Sequence, residues 1–208
     1  MTSKKLTGWL LIIGTVGTLV VFIGLGPAVF RGARGGTATE ALAALMNNEI
    51  LSRVLIILGA ILFSAQVAGF ALIANSMKVG NKAGAGVASL ASICFTVVIT
   101  VVVLSNAFEL GMMDLGSDDL AAATSLYQSG NGLGEAVGYF LPIAVLLLGI
   151  GIMIQKNFHA AIGWIFVILG IVTFLRQIIG LGGVVGLAQW IITSIFTIIV
   201  GIVVLRSK

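Results

Sequence analysis

"LSRVLIILGAILFSAQVAGFALIANSMKVGNKAGAG", residues 51–86, decides the fold. No charged residue interrupts residues 54–74, a run longer than the ~18–20 residues with which an α-helix crosses a ~30 Å hydrocarbon layer. Lys78 and Lys82 then bracket a small polar turn, "KVGNKA", before the next apolar run begins. Two spanning helices joined by a short basic loop are the reading this pattern requires.

The whole chain repeats the pattern. Hydrophobic residues are 59 % of 208, charged residues 9 %, and the mean hydropathy is +1.20, which sets the chain apart from ordinary soluble domains. No period-two alternation suggests a transmembrane barrel. The apolar runs predict an all-α polytopic membrane protein, one domain over residues 1–208, with six spans at about 6–30, 50–77, 84–110, 133–155, 159–179 and 183–205. The first follows Lys4 and Lys5 as a secretory signal would, but it is longer than a signal core and lacks a clear small-x-small cleavage site. It is read as a span.

Charge predicts the threading, because basic loops remain cytoplasmic. With both termini inside, Lys4, Lys5, Lys78, Lys82, Lys156, Arg206 and Lys208 lie in the cytoplasm with no acid among them. Arg31, Arg34, Arg53 and Arg176 lie outside with all seven acids, Glu40, Glu49, Glu109, Asp114, Asp118, Asp119 and Glu135. The pI of about 9.6 thus reports orientation in a cytoplasmic membrane, and nucleic acid is not an expected partner.

Two outer loops are long, 31–49 and 111–132. In the first, Thr37 and Glu40 have capping-box spacing ahead of Leu42, Leu45 and Met46, which predicts a short amphipathic surface helix. In the second, Ser117 as N-cap, Asp118 and Asp119 in the first turn and Gly130 as a stop predict another. Either is a lid, a docking surface or a connector. The shortness of "KVGNKA", "KN" and the link around "GLGG" predicts that the helices they join are antiparallel neighbours.

Small residues predict how the spans pack. Gly84, Ala88, Ser92, Thr96 and Thr100 form four-residue steps, as do Gly134 with Gly138 and Gly182 with Gly186. Ser52, Gly59 and Gln66 share a face expected to turn inward, with Gln66 bonding a neighbouring helix. Cys94 is expected to be a small core residue, and His159 marks a cytoplasmic boundary. Gly-Trp opens both "GWLLIIGTVGT" and "GWIFVILGIVT", for which interfacial anchoring by tryptophan is the preferred explanation over an internal repeat.

One histidine and one cysteine supply neither paired haem ligands nor a structural zinc site within one chain. No phosphate-binding loop, HExxH helix or GxSxG elbow is present. No cofactor, metal or catalytic residue is expected, and the chain is read as a non-enzyme. What remains is a polar set at the outer ends of the spans: Arg53, Glu109, Glu135, Tyr139, Arg176, Gln177 and Gln189. Pro142 stands near it and frees the carbonyl of Gly138. The set either converges into a chamber open to the outside, with Arg176 paired to Glu109 or Glu135, or staples helix ends by salt bridges.

The order "LTGWLLIIG", long outer loop, "LSRVLIILGAILFSAQVAGFALIANSMKVGNKAG", second outer loop and "GYFLPIAVLLLGIGIMIQKNFHAAIGWIFVILGI" resembles a widespread prokaryotic family of six-span membrane proteins classed as a domain of unknown function. Arg53 matches an arginine at the start of that family's second span and Gly163 a glycine opening its fifth. Ala160 stands where the family often has proline. The resemblance implies a fold outline and no activity. The first expectation for function is an accessory or scaffold subunit, with membrane-protein partners or a homo-oligomer. The alternative is a small transporter or binding protein for a lipid or small polar solute, its site opening outward.

Overall fold

In hydrocarbon, each backbone N–H and C=O must find its partner inside its own segment, and the apolar runs accordingly form helices. The computed structural model describes residues 3–30, 36–78, 82–156 and 158–207, leaving out the side chains of Ser3 and Ala28. Arg31, Arg34 and Lys208, which figure in the charge reading, lie outside the described residues. The helices are α1 (Ser3–Leu19), continued by a π-helical turn (Val20–Leu25) into α2 (Gly26–Val29), then α3 (Ala38–Met46), α4 (Glu49–Ser76), α5 (Ala85–Leu115), α6 (Leu120–Gln155), α7 (Ala160–Ile179) and α8 (Gly183–Arg206). Six segments are long and apolar enough to cross a membrane: Lys4–Leu25 and α4 to α8. The protein is an integral membrane protein, and its solvent is the lipid bilayer.

Packing order differs from chain order. α1 lies against α4 and α8, α4 against α5, α5 against α6, and α6 against α7. Each pair is antiparallel, and several approach backbone to backbone. A Cβ on Gly14 would meet the backbone N of Gln66 at 2.5 Å, one on Gly149 the carbonyl of Gly163 at 2.7 Å, and one on Gly170 the carbonyl of Pro142 at 2.8 Å. Pro142 is buried within an unbroken α6 and packs on α7. Without a hydrophobic drive between helices in lipid, such close van der Waals contact carries the association.

The tight link between α7 and α8 does not make them close neighbours. Gly180, at φ +71°, takes the left-handed conformation that ends α7, but the two helices then pack far less closely than the other neighbouring spans. α8 turns its Gly201 toward Gly8 of α1 instead, while Phe166 of α7 and Phe196 of α8 fill the space between them with rings 5.0 Å apart. Phe70 stacks on Phe95 at 5.6 Å and meets Phe166 edge-on at 5.6 Å. These four buried rings, from α4, α5, α7 and α8, plug the centre of the bundle.

All seven acids lie among the described residues and gather at one end; Lys4, Lys5, Lys78, Lys82, Lys156 and Arg206 lie at the other. At the acidic end the Thr37 and Glu40 capping box is formed, and hydrogen bonds from Thr37 hold the Glu40 carboxyl below its usual pKa. Leu42 and Leu45 are buried against Leu55, Met112 and Ala123, so α3 is a packed part of the fold. The second surface helix is not a separate element. α5 continues to Gly116, Asp119 rather than Ser117 caps the next helix by accepting from the amide of Ala122, and α6 runs through Gly130 without a break. Gly130 is a crossing point: its carbonyl accepts from the Ser105 hydroxyl at 2.9 Å. At about 1.5 Å per residue, α6 is about 54 Å long, so it stands well beyond the hydrocarbon, and Tyr127 of that extension donates to the carbonyl of Gly36.

The four-residue seam of α5 is buried only in part. Each step advances about 400° around a helix, a drift of about 40°, so Ala88 and Ser92 are inside while Thr96 and Thr100 are exposed and bond back to Ser92 and Thr96. Ala91, Phe95 and Val98 complete the inward face. In α4, Ser52 and Gln66 are buried as expected and a Cβ on Gly59 would meet Phe22. Ser52 donates to the carbonyl of Leu45, but among the described residues the Gln66 amide has no hydrogen-bonded neighbour; Gly14 of α1 packs against the Gln66 backbone. Cys94 packs partly buried on the core. His159 caps α7 by accepting from Ala161, and Trp9 and Trp164 both point outward, as interfacial anchors do.

Candidate functional site

The π-helical turn comes one turn before Pro27, which has no N–H to give the helix. π turns of this kind are frequent at functional sites, and here Thr18, Phe22, Ile23 and Pro27 line a chamber at the acidic end. Every span contributes to it: Gly59 and Phe63 from α4, Ser105 and Asn106 from α5, Gly134 and Val137 from α6, Arg176 from α7, Leu187 and Trp190 from α8. The volume is about 670 Å³. A more polar compartment of about 600 Å³ adjoins it through Phe22, Ser105, Asn106 and Gly134 and carries Glu109, Glu135, Tyr127, Asn131 and Gln177. The ring plug of Phe70, Phe95, Phe166 and Phe196 lies about two turns below the chamber toward the basic end.

Arg176 occupies the last turn of α7, near the membrane boundary, where an arginine is less costly than at mid-membrane. It does not make the expected ion pair. None of the seven carboxylates lies within 4.0 Å of it; the ion pairs among the described residues are Arg53 with Glu49 and Arg53 with Asp114. Its Nη1 donates to the carbonyl of Leu181 at 2.8 Å, and its Nε is buried without a partner. Gly186 makes room for it: a Cβ there would stand 2.7 Å from Nη1.

The rest of the polar set divides. Glu109, Glu135 and Gln177 line the outer compartment, Gln177 lying against Gly138. Arg53 stands apart from the chamber at the rim, where it ties α4 to α5 through Asp114 as well as making the expected turn with Glu49. Tyr139 is exposed and packs edge-on against Phe174. Gln189 faces the seam between α7 and α8 and donates to the Thr173 hydroxyl, leaving its own carbonyl oxygen buried and unpartnered. Among the described residues no three His, Cys, Asp or Glu side chains gather as metal ligands would. What the arrangement can do is bind: among the described residues it offers one guanidinium, a few amide and hydroxyl groups and an apolar wall, with the carboxylates of Glu109 and Glu135 in the adjoining compartment.

No family model, curated protein or solved structure matches the chain.

Sequence reasoning placed Arg176, Gln177, Glu109 and Glu135 near one another and missed the contribution of α1. Its signal was Pro27, one of only two prolines, standing with Gly26 at the end of the first apolar run.

Proposed function

We propose that the protein binds a small ligand in the acidic-end chamber, and that this end faces away from the cytoplasm. One observation carries the reading: six spans converge on a chamber of ligand size where Arg176, the one guanidinium among the described residues that line it, has a buried, unpartnered Nε and no carboxylate beside it. A purely structural arginine at a helix end would be paired, as Arg53 is. The collection of lysines at the opposite end supports the orientation. The ring plug makes this a one-sided site, which suits a binding protein or a transporter in its outward-facing state. An accessory subunit needs no such chamber, and the apolar surface of α7 and α8 is accounted for by lipid alone.

Native mass spectrometry of protein extracted in mild detergent tests the reading. The expected result is a small molecule retained by the parent and lost from Gly134→Trp, which fills the chamber from a position where a Cβ meets only Ser105, at 3.9 Å. Fixed-stoichiometry partner polypeptides with no retained molecule would favour the subunit reading instead.

A further inference from the structure

Resting on the chamber as the binding site, we infer that its ligand is an anionic amphiphile, with the anionic group on Arg176 and the apolar body against Phe22, Phe63 and Trp190. Three features of the chamber converge on this class.

The first is charge. Arg176 is half-buried, but its Nε is shut off from solvent and calls for an acceptor, and none of the seven Asp and Glu carboxylates, all described, lies within 4.0 Å of it. With Nη1 committed to Leu181, the buried Nε remains to donate. A guanidinium fork suits carboxylate and phosphate oxygens. The second is the wall. Beside Arg176 the chamber is mostly apolar, with Phe22 and Trp190 meeting edge-on at 6.2 Å. A small hydrophilic anion would leave that surface uncovered, whereas an apolar tail covers it.

The third is the route. α7 and α8 are the sequential spans that barely pack, and an apolar groove lined by Val172, Val184, Ala188 and Gln189 runs along the bilayer side of their seam. Two hydrogen bonds link α7 to α8 and to the turn before it along this seam, Gln189 to the Thr173 hydroxyl and Arg176 to the carbonyl of Leu181. An amphiphile reaches Arg176 from the bilayer by parting these, or from the aqueous phase through the acidic end.

Trp190 reports occupancy directly. In a Trp9→Phe, Trp164→Phe background it is the sole tryptophan, and its quenching is measured in nanodiscs containing dibrominated phosphatidylglycerol or dibrominated phosphatidylcholine, and in unbrominated phosphatidylcholine discs titrated with dibromostearate. The expected result is saturable quenching by the brominated anionic lipid, by the fatty acid, or by both, in excess of that by the zwitterionic lipid; the arm that saturates identifies the source. Arg176→Gln lowers the apparent affinity about tenfold, the scale of one charge-assisted contact. Gly186→Ala, which keeps the charge and displaces Nη1, lowers it by a smaller factor. Unchanged quenching by the zwitterionic lipid shows that each variant is folded.

Equal quenching by both lipids with no saturation by the fatty acid, or saturation indifferent to both substitutions, overturns the inference. A polar, non-amphiphilic molecule retained by the parent and expelled by Gly134→Trp would also overturn it while leaving the chamber as the binding site.

Discussion

Gly14→Ala should destabilise the bundle by about 1–3 kcal/mol, the usual cost of forcing extra volume into a packed interior, read as a lowered midpoint for unfolding of the purified protein in detergent. The new methyl carbon would stand 2.5 Å from the backbone N of Gln66, 2.8 Å from the carbonyl O of Leu62 and 2.9 Å from the Gln66 Cα. Those are backbone atoms of a spanning helix, so no side chain can swing aside and α1 and α4 must separate. Their separation would also disturb the side of the chamber formed by Thr18, Phe22 and Gly59. Gly132→Ala is the control. A Cβ there meets nothing within 4 Å, so that change should stabilise α6 by about 0.5–1 kcal/mol through the glycine entropy it removes. Equal effects from the two substitutions would mean that helix propensity, and not close approach, governs the Gly14 position.

Arg176→Leu should lower ligand affinity about tenfold or more and at the same time leave the protein as stable as before or more stable, by about 1 kcal/mol. The sign is the informative part. If Arg176 stapled helix ends, leucine would remove an ion pair and strand a carboxylate, and stability would fall. The guanidinium instead has no carboxylate within 4.0 Å, one bond to a backbone carbonyl and a buried Nε without a partner, so leucine trades an uncompensated cation for a well-tolerated apolar group. Loss of stability with binding retained would return Arg176 to a structural role. Arg53→Leu is the contrasting case, since it breaks a two-carboxylate rim network and should lower stability with little effect on binding.

The spans were legible in the sequence because span length and charge follow from the thickness of the bilayer and from the cost of leaving a backbone group unpaired in it. The capping box at Thr37 and Glu40 was legible because it is local. Gly130 was misleading for a reason equally physical: glycine serves both to stop a helix and to let another approach, and the distinction depends on α5, which local sequence does not contain. The same holds for the loose packing of α7 on α8, decided by two phenylalanines and by the attraction of Gly201 for α1. In the polar set, helix position sufficed to bring Arg176, Gln177, Glu109 and Glu135 to one end of the bundle. It did not suffice to choose partners, since Asp114 lies closer to Arg53 than any carboxylate lies to Arg176.

Thiol accessibility tests the central claim, that a chamber opens on the non-cytoplasmic side and ends at the ring plug. In a Cys94→Ala background, Asn106→Cys lines both compartments, and Val98→Cys lies about two turns deeper among fully buried residues. A charged, membrane-impermeant thiol reagent added from the non-cytoplasmic side should modify Asn106→Cys readily and leave Val98→Cys intact. An Asn106→Cys thiol that is unreactive from that side, or that reacts only from the cytoplasm, would contradict the account.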